Sequence, residues 1–315
     1  DRYGLGSVTL HVKDSKWSKL QAVKRHIKQA GGYDWVIAYK NGPAIIGCML
    51  KMMGANFRLI VSERNTNQSI SRSDKMKFWF YRWADYVVPN AYAQEKFIKQ
   101  NFAALSNKTV TITNFTDTDH FKPIATTPNN KLVVMTAARV AKQKNILNYL
   151  EAIKRLKQDG YTDDVHFDWY GDVQTGEEAY GEACYNKRIE LGVEDVIEFH
   201  PATTSIVKHY QSCDVFCLPS IYEGFPNVVC EAMSCGKPIA CSRVCDNPHI
   251  VQEDKNGVFF NPTDVDSIYN GLKLIIEMPK EERLAWGYKS REIAETLFSK
   301  EAFVQKYIKL IESKG

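Results

Sequence analysis

Residues 215–242 read VFCLPSIYEGFPNVVCEAMSCGKPIACS, and this segment is the most informative part of the sequence. It opens on an apolar run, continues through a polar loop that holds Glu223, and passes into a short helical pattern that carries Glu231. A Gly-Lys-Pro sequence at 236–238 ends that pattern, because glycine and proline both interrupt a helix, and a second apolar run follows. A strand, a loop and a helix N-terminus in this order predict a place where a polar ligand is held.

Outward from this stretch, short apolar runs alternate with segments whose apolar residues recur at helical spacing. The alternation predicts parallel βαβ units and therefore an α/β fold. The predicted strands are residues 34–38, 57–62, 85–89, 109–113, 131–138, 166–170 and 196–199. The predicted helices are residues 17–29, 44–53, 75–83, 94–100, 146–158, 180–191, 206–212, 264–276, 281–295 and 300–311.

The length of the chain predicts two domains, since 315 residues are about twice the usual domain of roughly 150. Residues 117–130 are rich in Thr, Pro and Asn and lack periodicity, so we expect them to link a domain at 1–116 to one at 131–296. Residues 297–315 are expected to form a C-terminal helix that packs back toward the first domain.

The composition, 44% hydrophobic and 25% charged, is typical of a globular protein with a sizeable core. No apolar run approaches the roughly 18 residues needed to cross a bilayer. The first residues, 1–6, are short and polar and do not resemble a signal peptide. We therefore expect a cytoplasmic protein, and a start without Met suggests a trimmed or partial chain.

Charge is distributed unevenly along the chain. Residues 1–130 carry 19 Lys and Arg against 9 Asp and Glu, whereas the remainder is acidic. A basic first half suits an anionic partner, such as the inner face of a phospholipid membrane or a pyrophosphate-linked substrate, and we expect no nucleic acid. An ordinary solvated basic surface is the alternative interpretation.

Residues 75–83, KMKFWFYRW, interleave bases with aromatics. Such a helix suits a membrane interface, where aromatic rings lie in the headgroup region. Packing of the same aromatics on the underlying sheet is the alternative.

Six of the eight cysteines fall between 213 and 245, but they form no CxxC pair and no His cluster accompanies them. Several of these cysteines lie in apolar runs, where a thiol behaves as a small hydrophobe. The cysteine pattern therefore predicts no metal site and a reducing environment.

Three strand ends in the second domain carry candidate binding residues. Arg139 and Lys144 flank the first strand-to-helix loop and suit phosphate binding, since Arg offers a bidentate fork and Lys a point charge. Gly171 ends the next strand and would let the backbone approach a ligand closely.

The third strand end is the loop from Glu223 to Asn227. Pro226 suits the first position of a helix, so the amides that follow it would face an anion. Glu231 would then lie about one turn inside the helix, where it could accept two hydrogen bonds from the diol of a ribose. Glu223 could do the same for a sugar hydroxyl.

These residues together resemble a known family. The sequence EGFPNVVCEAMSCGKPIA resembles the Glu-x7-Glu signature of retaining glycosyltransferases of family 4, which have the GT-B fold. Residues 139–144 are similar to the R-x4-K donor-diphosphate motif of that family, and NFTDTDHFKP is similar to its interdomain segment. The resemblance covers nearly the whole chain and is strongest over residues 131–262.

The resemblance implies two Rossmann-like domains whose parallel sheets face a cleft, and a nucleotide-diphosphate sugar, of UDP or GDP type, as the donor. It implies that Glu223 contacts the donor sugar and Glu231 the ribose. Gly224, Phe225, Pro226 and Asn227 would supply backbone amides to the sugar and phosphates.

The reaction implied is retaining transfer of a hexose-type sugar to a glycan or lipid-linked acceptor, in the synthesis of a surface polysaccharide or glycolipid. The catalytic residues would be Glu223, Lys144 and Arg139. No cofactor or metal would be required, because the two basic residues stabilise the leaving diphosphate electrostatically.

The chain departs from the family in its first domain. Roughly 50 residues of the usual opening strand and Gly-rich loop have no counterpart before residue 1, which predicts a first domain shortened at its N-terminus. Arg64 follows the acidic residue where many relatives have a histidine, and Pro201 stands where a glycine is common.

Two other function classes fit the sequence less well. One is a sugar-nucleotide epimerase or hydrolase, which would release free sugar without an acceptor. The other is a non-catalytic sugar-nucleotide-binding protein, which would bind the donor without turnover.

Overall fold

A computed structural model of the chain describes residues 9–10, 15–64, 66–67, 69–125 and 129–313. The opening stretch 1–6 and part of the predicted linker, 126–128, therefore lie outside the described residues. The chain divides into two compact units, residues 1–112 and 113–315, so the division falls a few residues before the predicted linker.

The first unit is built on a three-stranded parallel sheet in the order β1-β2-β3. Its strands are β1 (Trp35–Tyr39), β2 (Arg58–Glu63) and β3 (Tyr86–Pro89). Its helices are α1 (Lys16–Gln29), α2 (Asn41–Met52), α3 (Arg72–Phe80) and α4 (Tyr92–Asn101), with 3₁₀ turns at Tyr81–Trp83 and Ala103–Lys108.

Local sequence explains where two of these helices begin. The Ser15 hydroxyl accepts a hydrogen bond from Ser18 N and so caps α1. Ser71 and Asp74 form a reciprocal capping box at the start of α3. Both caps satisfy amides that have no partner inside the helix.

The aromatic segment 75–83 is divided between the core and the surface. Phe78 and Tyr81 are fully buried in the core of the first unit, which confirms packing for these two rings. Lys77 is also buried, and its Nζ lies 2.8 Å from Glu63 Oε2. Trp79 and Met76 remain exposed, 43% and 53% respectively.

The strand predicted at 109–113 is wrong as a full strand. The segment forms an isolated parallel bridge between Thr109 and Val87, and the amides of Val110 and Ile112 donate to carbonyls of β3. The segment is therefore extended and follows the edge of β3, but its pairing is too short to add a strand to the sheet.

The second unit has a six-stranded parallel sheet in the order β6-β5-β4-β7-β8-β9. Its strands are β4 (Leu132–Ala137), β5 (Val165–Tyr170), β6 (Ile197–His200), β7 (Val215–Leu218), β8 (Ile239–Ser242) and β9 (Gly257–Phe260). Its helices are α5 (Ile146–Gln158), α6 (Glu178–Glu190), α7 (Ile206–Ser212), α8 (Asn227–Ser234), α9 (Asn247–Ile250), α10 (Val265–Glu277), α11 (Lys280–Phe298) and α12 (Lys300–Glu312).

The strand order reverses between β4 and β7, which pair directly through Val134↔Val215 and Met135↔Phe216. In open parallel sheets, ligands bind outside the carboxyl ends of the strands at such a switch point. The loops that follow β4 and β7 therefore lie side by side where a ligand is expected.

A large apolar core holds this sheet. Phe167 and Trp169 of β5 are fully buried against Tyr149 of α5, and Leu272 of α10 belongs to the same cluster.

The predicted helices 146–158 and 206–212 are confirmed at both ends. Within the described ranges, no helix is both long enough and apolar enough to cross a membrane.

Candidate active site

The loop after β4 carries both predicted phosphate ligands. Arg139 is exposed and makes no ion pair with any residue that the structure describes. A 3₁₀ turn, Lys142–Lys144, then leads into α5. Asn145, which precedes α5, has φ 61° and ψ 36°, a left-handed conformation that Asn tolerates better than most residues.

Lys144 and Glu223 form a buried ion pair. Lys144 Nζ lies 2.5 Å from Glu223 Oε1, and the two side chains are only 11% and 9% exposed. The residues are 79 positions apart in sequence, and the adjacency of β4 and β7 brings their loops together. The structure thus joins two predicted site residues in one charged contact.

Further hydrogen bonds connect the same two loops. Gln143 Nε2 donates to the carbonyl of Tyr222, and Ile221 N donates to the carbonyl of Gln143, both at 2.8 Å. Asn145 Nδ2 donates to the carbonyls of Pro219 at 3.1 Å and Pro262 at 2.7 Å. These contacts fix the position of the Lys144 ammonium relative to Glu223.

The predicted position of Pro226 is wrong by one residue. Helix α8 begins at Asn227, and Pro226 is its N-cap, with φ −82° and ψ 85°. The Pro226 carbonyl accepts from the amides of Val229 and Cys230, so it closes the first turn from outside the helix.

The amides expected from residues 224–227 also need correction. Pro226 has no amide hydrogen, and Asn227 N donates to the Phe225 carbonyl at 3.1 Å. The amides of Gly224, Phe225 and Val228 meet no acceptor among the described residues. The set able to face an anion is therefore these three.

Two side chains of the predicted loop have structural partners. The Phe225 ring is buried and packs edge-on against Phe298 of α11, with ring centroids 5.7 Å apart. The Asn227 side chain is exposed, and its Oδ1 accepts from Asn114 Nδ2 at 2.8 Å. Phe225 thus anchors the loop to the body of the second unit.

Glu231 lies inside α8, as predicted, and is held by a buried tyrosine. Tyr210 of α7 donates its hydroxyl to Glu231 Oε2 at 3.0 Å. Burial raises the pKa of Glu231 above its ordinary value, while the Tyr210 hydrogen bond and the charge of His120 act in the opposite direction. Burial likewise raises the pKa of Tyr210 well above its ordinary value.

A cavity of about 700 Å³ opens at these strand ends. Its lining includes Arg139, Gly171 and Glu231 from the predicted set, together with Tyr210 and Val228. The ion pair of Lys144 with Glu223 does not line this cavity. Its volume lies within the 300–1,000 Å³ usual for small-molecule sites.

The backbone around Gly171 leaves no room for a side chain. A Cβ at this position would lie 2.1 Å from the carbonyl oxygen of Ala138. The loops after β4 and β5 cross so closely that no other residue fits. The expected close approach therefore exists, but the approaching group is the backbone beside Arg139.

Sequence reasoning missed Tyr210, Gln143 and Asn145. Asn145 had a detectable signal, because Asn favours the position directly before a helix. Tyr210 had no such signal, because it is only one aromatic residue within a short predicted helix. Its bond to Glu231 joins two helices across 21 positions of sequence, which no local pattern encodes.

The described residues contain one group of His, Asp and Glu side chains with metal-ligand spacing. It lies on β5 and β6, and β5 leads into the loop that begins at Gly171. All eight cysteines are free thiols, and seven of them are buried.

Comparison with known proteins assigns the fold and the family. A family model described as "Glycosyl transferases group 1" matches residues 117–293. The chain is 23% identical over 271 residues to a Campylobacter jejuni N-acetylgalactosamine-N,N'-diacetylbacillosaminyl-diphospho-undecaprenol 4-alpha-N-acetylgalactosaminyltransferase, covering 82% of this chain and 71% of that enzyme. It is 28% identical over 186 residues to the Escherichia coli UDP-Gal:alpha-D-GlcNAc-diphosphoundecaprenol alpha-1,3-galactosyltransferase, covering 59% of this chain and 43% of that enzyme.

Among solved structures, Anabaena HepE in complex with UDP superposes with a TM-score of 0.83 at 20% identity, covering 95% of this chain and 84% of that one. The lipopolysaccharide outer core galactosyltransferase WaaB gives a TM-score of 0.72 at 18% identity, covering 95% and 80%. The predicted α/β, GT-B fold class is confirmed. The chain belongs to the glycosyl transferases group 1 family.

Proposed function

We propose that the chain is a retaining glycosyltransferase that moves a hexose-type sugar from a nucleotide-diphosphate sugar to a glycan or lipid-linked acceptor. The observation that best supports this proposal is the Lys144–Glu223 ion pair. It lies at the switch point of the second sheet, beside a cavity lined by Arg139 and Glu231. Positive groups for a diphosphate and carboxylates for hydroxyls thus come from two adjacent loops.

Each site residue has a role that follows from its chemistry. Arg139 is exposed at the cavity with no anionic partner described, so its guanidinium is available to fork onto a phosphate. Lys144 places a second positive charge in the same loop, and the amide of Val228 at the start of α8 adds a dipole. The leaving diphosphate is stabilised by charges that are already in position.

The two carboxylates then serve hydroxyls. Glu223 accepts hydrogen bonds from the transferred sugar, and Glu231 accepts them from the ribose diol. As the C1–oxygen bond of the donor breaks, the nucleoside diphosphate leaves with the electron pair, and the acceptor oxygen bonds to C1 from the same face. The acceptor proton passes to an oxygen of the departing diphosphate. This proposal assigns no role to a divalent cation or cofactor.

A UDP or GDP donor and a lipid-linked acceptor are our proposal for the substrates. HepE is described in complex with UDP and with UDP-glucose, and both curated relatives act on diphospho-undecaprenol-linked sugars. The basic first half suits an acceptor that carries a diphosphate. The product would enter a surface polysaccharide or glycolipid.

The test is a transfer assay with a panel of UDP-, GDP- and ADP-sugars and an undecaprenyl-diphosphate sugar acceptor. We expect one nucleotide class to raise the melting temperature of the chain and to support transfer, with the donor's anomeric configuration retained in the product by NMR. Full activity in EDTA is expected. An inverted product would contradict the retaining mechanism.

The same assay distinguishes the other function classes. Free sugar or an epimerised donor formed without an acceptor would indicate a hydrolase or epimerase. Donor binding without turnover would indicate a binding protein. Either result would overturn the transferase proposal.

We also propose that the protein works in the cytoplasm, in peripheral contact with the inner face of an anionic membrane. On α3 and the 3₁₀ turn after it, Arg72, Lys75, Met76, Trp79 and Arg82 are exposed at spacings of three and four residues. Bases beside an indole and a thioether form a face suited to anionic headgroups.

Vesicle sedimentation tests this contact. Binding to phosphatidylglycerol vesicles should exceed binding to phosphatidylcholine vesicles and should fall in Trp79→Ala. Tyr288→Ala is the control, because Tyr288 is 75% exposed on α11 in the second unit. Equal sedimentation of all three proteins would exclude a role for this face.

A further inference from the structure

The outer strands β5 and β6 carry a polar face that the proposed reaction does not use. Along β5 the burial alternates, so that Val165, Phe167 and Trp169 enter the core while His166 and Asp168 occupy the other face. This face is partly open to solvent, since the His166 and Glu198 side chains are 30% and 60% exposed. The side chains on it are therefore held by strands but reachable from outside.

Four titratable side chains converge on this face. The parallel register places Asp168 directly beside Glu198. His166 Nε2 lies 3.4 Å from Asp168 Oδ1, and His200 Nε2 lies 2.7 Å from the same oxygen. Ligand atoms of His166, Asp168 and Glu198 all lie within 4.8 Å of one another.

Two carboxylates side by side on neighbouring strands repel each other. Neither Asp168 nor Glu198 forms an ion pair with a Lys or Arg among the residues that the structure describes. The Asp168 side chain is only 16% exposed, so water screens this repulsion incompletely. His200 approaches both carboxylates, with Nε2 2.7 Å from Asp168 Oδ1 and Nδ1 3.9 Å from Glu198 Oε1, and a cation between the strands would offset the repulsion further.

The geometry points to a divalent transition-metal site, with Zn²⁺ held by His166, Asp168 and Glu198. One imidazole nitrogen and two carboxylate oxygens are ordinary zinc ligands, and the fourth tetrahedral position would be taken by water. The 3.4 Å between His166 Nε2 and Asp168 Oδ1 matches two ligands that each lie about 2.0–2.2 Å from one zinc ion.

His200 completes the site without binding the metal. Its Nε2 hydrogen bond fixes the orientation of the Asp168 carboxylate, which is the usual way a neighbouring group positions a metal ligand. The His200 ring also stacks on Tyr170, with centroids 4.5 Å apart, and Tyr170 lines the large cavity. Metal binding thus fastens the edge strand beneath one wall of the proposed donor site.

The test is calorimetric titration of Zn²⁺ into the tag-free, EDTA-treated chain, with thermal unfolding in parallel. We expect one equivalent to bind and to raise the melting temperature. His166→Ala and Glu198→Gln should each abolish this binding, and His200→Gln should weaken it about 10–100-fold. Glu198 is exposed, so its variant is expected to fold normally.

Glu194→Gln is the matched control, since Glu194 is an exposed glutamate four residues before Glu198. It should bind Zn²⁺ as the wild type does. Equal zinc affinity in Glu198→Gln and the wild type would overturn the proposal. A thiolate charge-transfer band on substitution with Co²⁺ would overturn it as well, because it would assign the bound metal to cysteines. Neither result would bear on sugar transfer, which the proposed site performs elsewhere.

Discussion

Lys144 Nζ and Glu223 Oε1 lie 2.5 Å apart in a contact that is almost closed to solvent. A buried pair of this kind adds little net stability, yet removing one partner leaves an uncompensated charge in a poorly solvated place. The pair therefore holds Lys144, the proposed phosphate ligand, in position before a donor binds. Because Lys144 and Glu223 belong to different loops, loss of either side chain is expected to disturb the conformation of both loops.

Replacing Lys144 tests this dependence. Lys144→Ala should lower the free energy of unfolding by about 3–5 kcal/mol, because Glu223 loses its counter-charge. Transfer should fall at least 10²–10³-fold, the effect of removing one preorganised charge. Urea unfolding and initial rates measure the two effects.

Lys142→Ala is the control for that variant, since Lys142 is an exposed lysine of the same turn. It should match the wild type in both measurements. Glu223→Gln should also lose transfer, and the double variant Lys144→Met with Glu223→Gln should regain part of the lost stability. Wild-type rates in Lys144→Ala would refute the assignment.

Glu231 predicts a pH dependence of stability. Burial raises its pKa above the ordinary 4.5, so the folded state binds this proton more tightly than the unfolded chain. The contribution of protonated Glu231 is fully present below about pH 4.5 and is lost as the pH rises through the folded-state pKa. Glu231→Gln cannot titrate, so its melting temperature should rise relative to the wild type across that window.

Tyr210→Phe sharpens the same test. Loss of the hydroxyl removes a bond that lowers the pKa of Glu231, so the window should extend to higher pH. A constant difference between Glu231→Gln and the wild type from pH 4 to 8 would contradict this account. In calorimetry, Glu231→Gln should also bind the nucleotide more weakly, because the ribose loses a charged acceptor.

Asn145 is expected to position Lys144 through its backbone and its amide. Asn145→Ala loses two hydrogen bonds and leaves in the left-handed conformation a residue that tolerates it less well than Asn, where the conformation costs an ordinary L-residue about 1–2 kcal/mol. Asn145→Gly loses the bonds but keeps the conformation. The alanine variant should therefore be the less stable in urea, and both should lower kcat more than they raise KM.

Asn148→Ala provides the comparison, since Asn148 makes only one of these bonds, to Pro262 at 3.1 Å. It should leave kcat near the wild-type value. If it lowered kcat as much as Asn145→Gly does, the loss would reflect general loosening of α5 rather than displacement of Lys144.

Gly171→Ala should destabilise the second unit by about 1–3 kcal/mol, because its Cβ would overlap the Ala138 carbonyl. The displaced backbone carries Arg139, so donor affinity should fall as well. Thermal unfolding and calorimetry measure the two losses. Gly42→Ala, where no heavy atom lies within 4 Å of the added Cβ, should show neither.

Periodicity predicted the helices well where the buried stripe is long. Helix α5 was placed at both ends because its apolar residues recur over thirteen positions against the sheet. The strand prediction for 109–113 was wrong because the segment donates only two hydrogen bonds to β3, and composition does not reveal how many bonds a segment makes. The predicted position of Pro226 was wrong by one residue, because a proline before a helix can close the first turn through its carbonyl alone.

The residue types of the candidate site could be predicted from the sequence, but most of the contacts between these residues could not. Arg139, Lys144, Glu223 and Glu231 stood out because charges at strand ends suit a polar ligand. The bond between Lys144 and Glu223 depends on the order of strands in the sheet, which spacing does not encode. The histidine and carboxylates of β5 and β6 could have been found, since His-x-Asp and Glu-x-His each point two side chains to one face of a strand.

The burial of the cysteines has a practical consequence for spectroscopy. Burial raises the pKa of all eight thiols, Cys245 included, so access distinguishes them: seven are enclosed and slow to alkylate because a reagent cannot reach them. Cys245 alone is exposed, and its sulfur accepts the backbone amide of Glu223 at 3.4 Å. A maleimide dye would therefore react with the unmutated protein at a single position, Cys245, next to the Glu223 loop. Its emission would report occupancy of that loop without any engineered label.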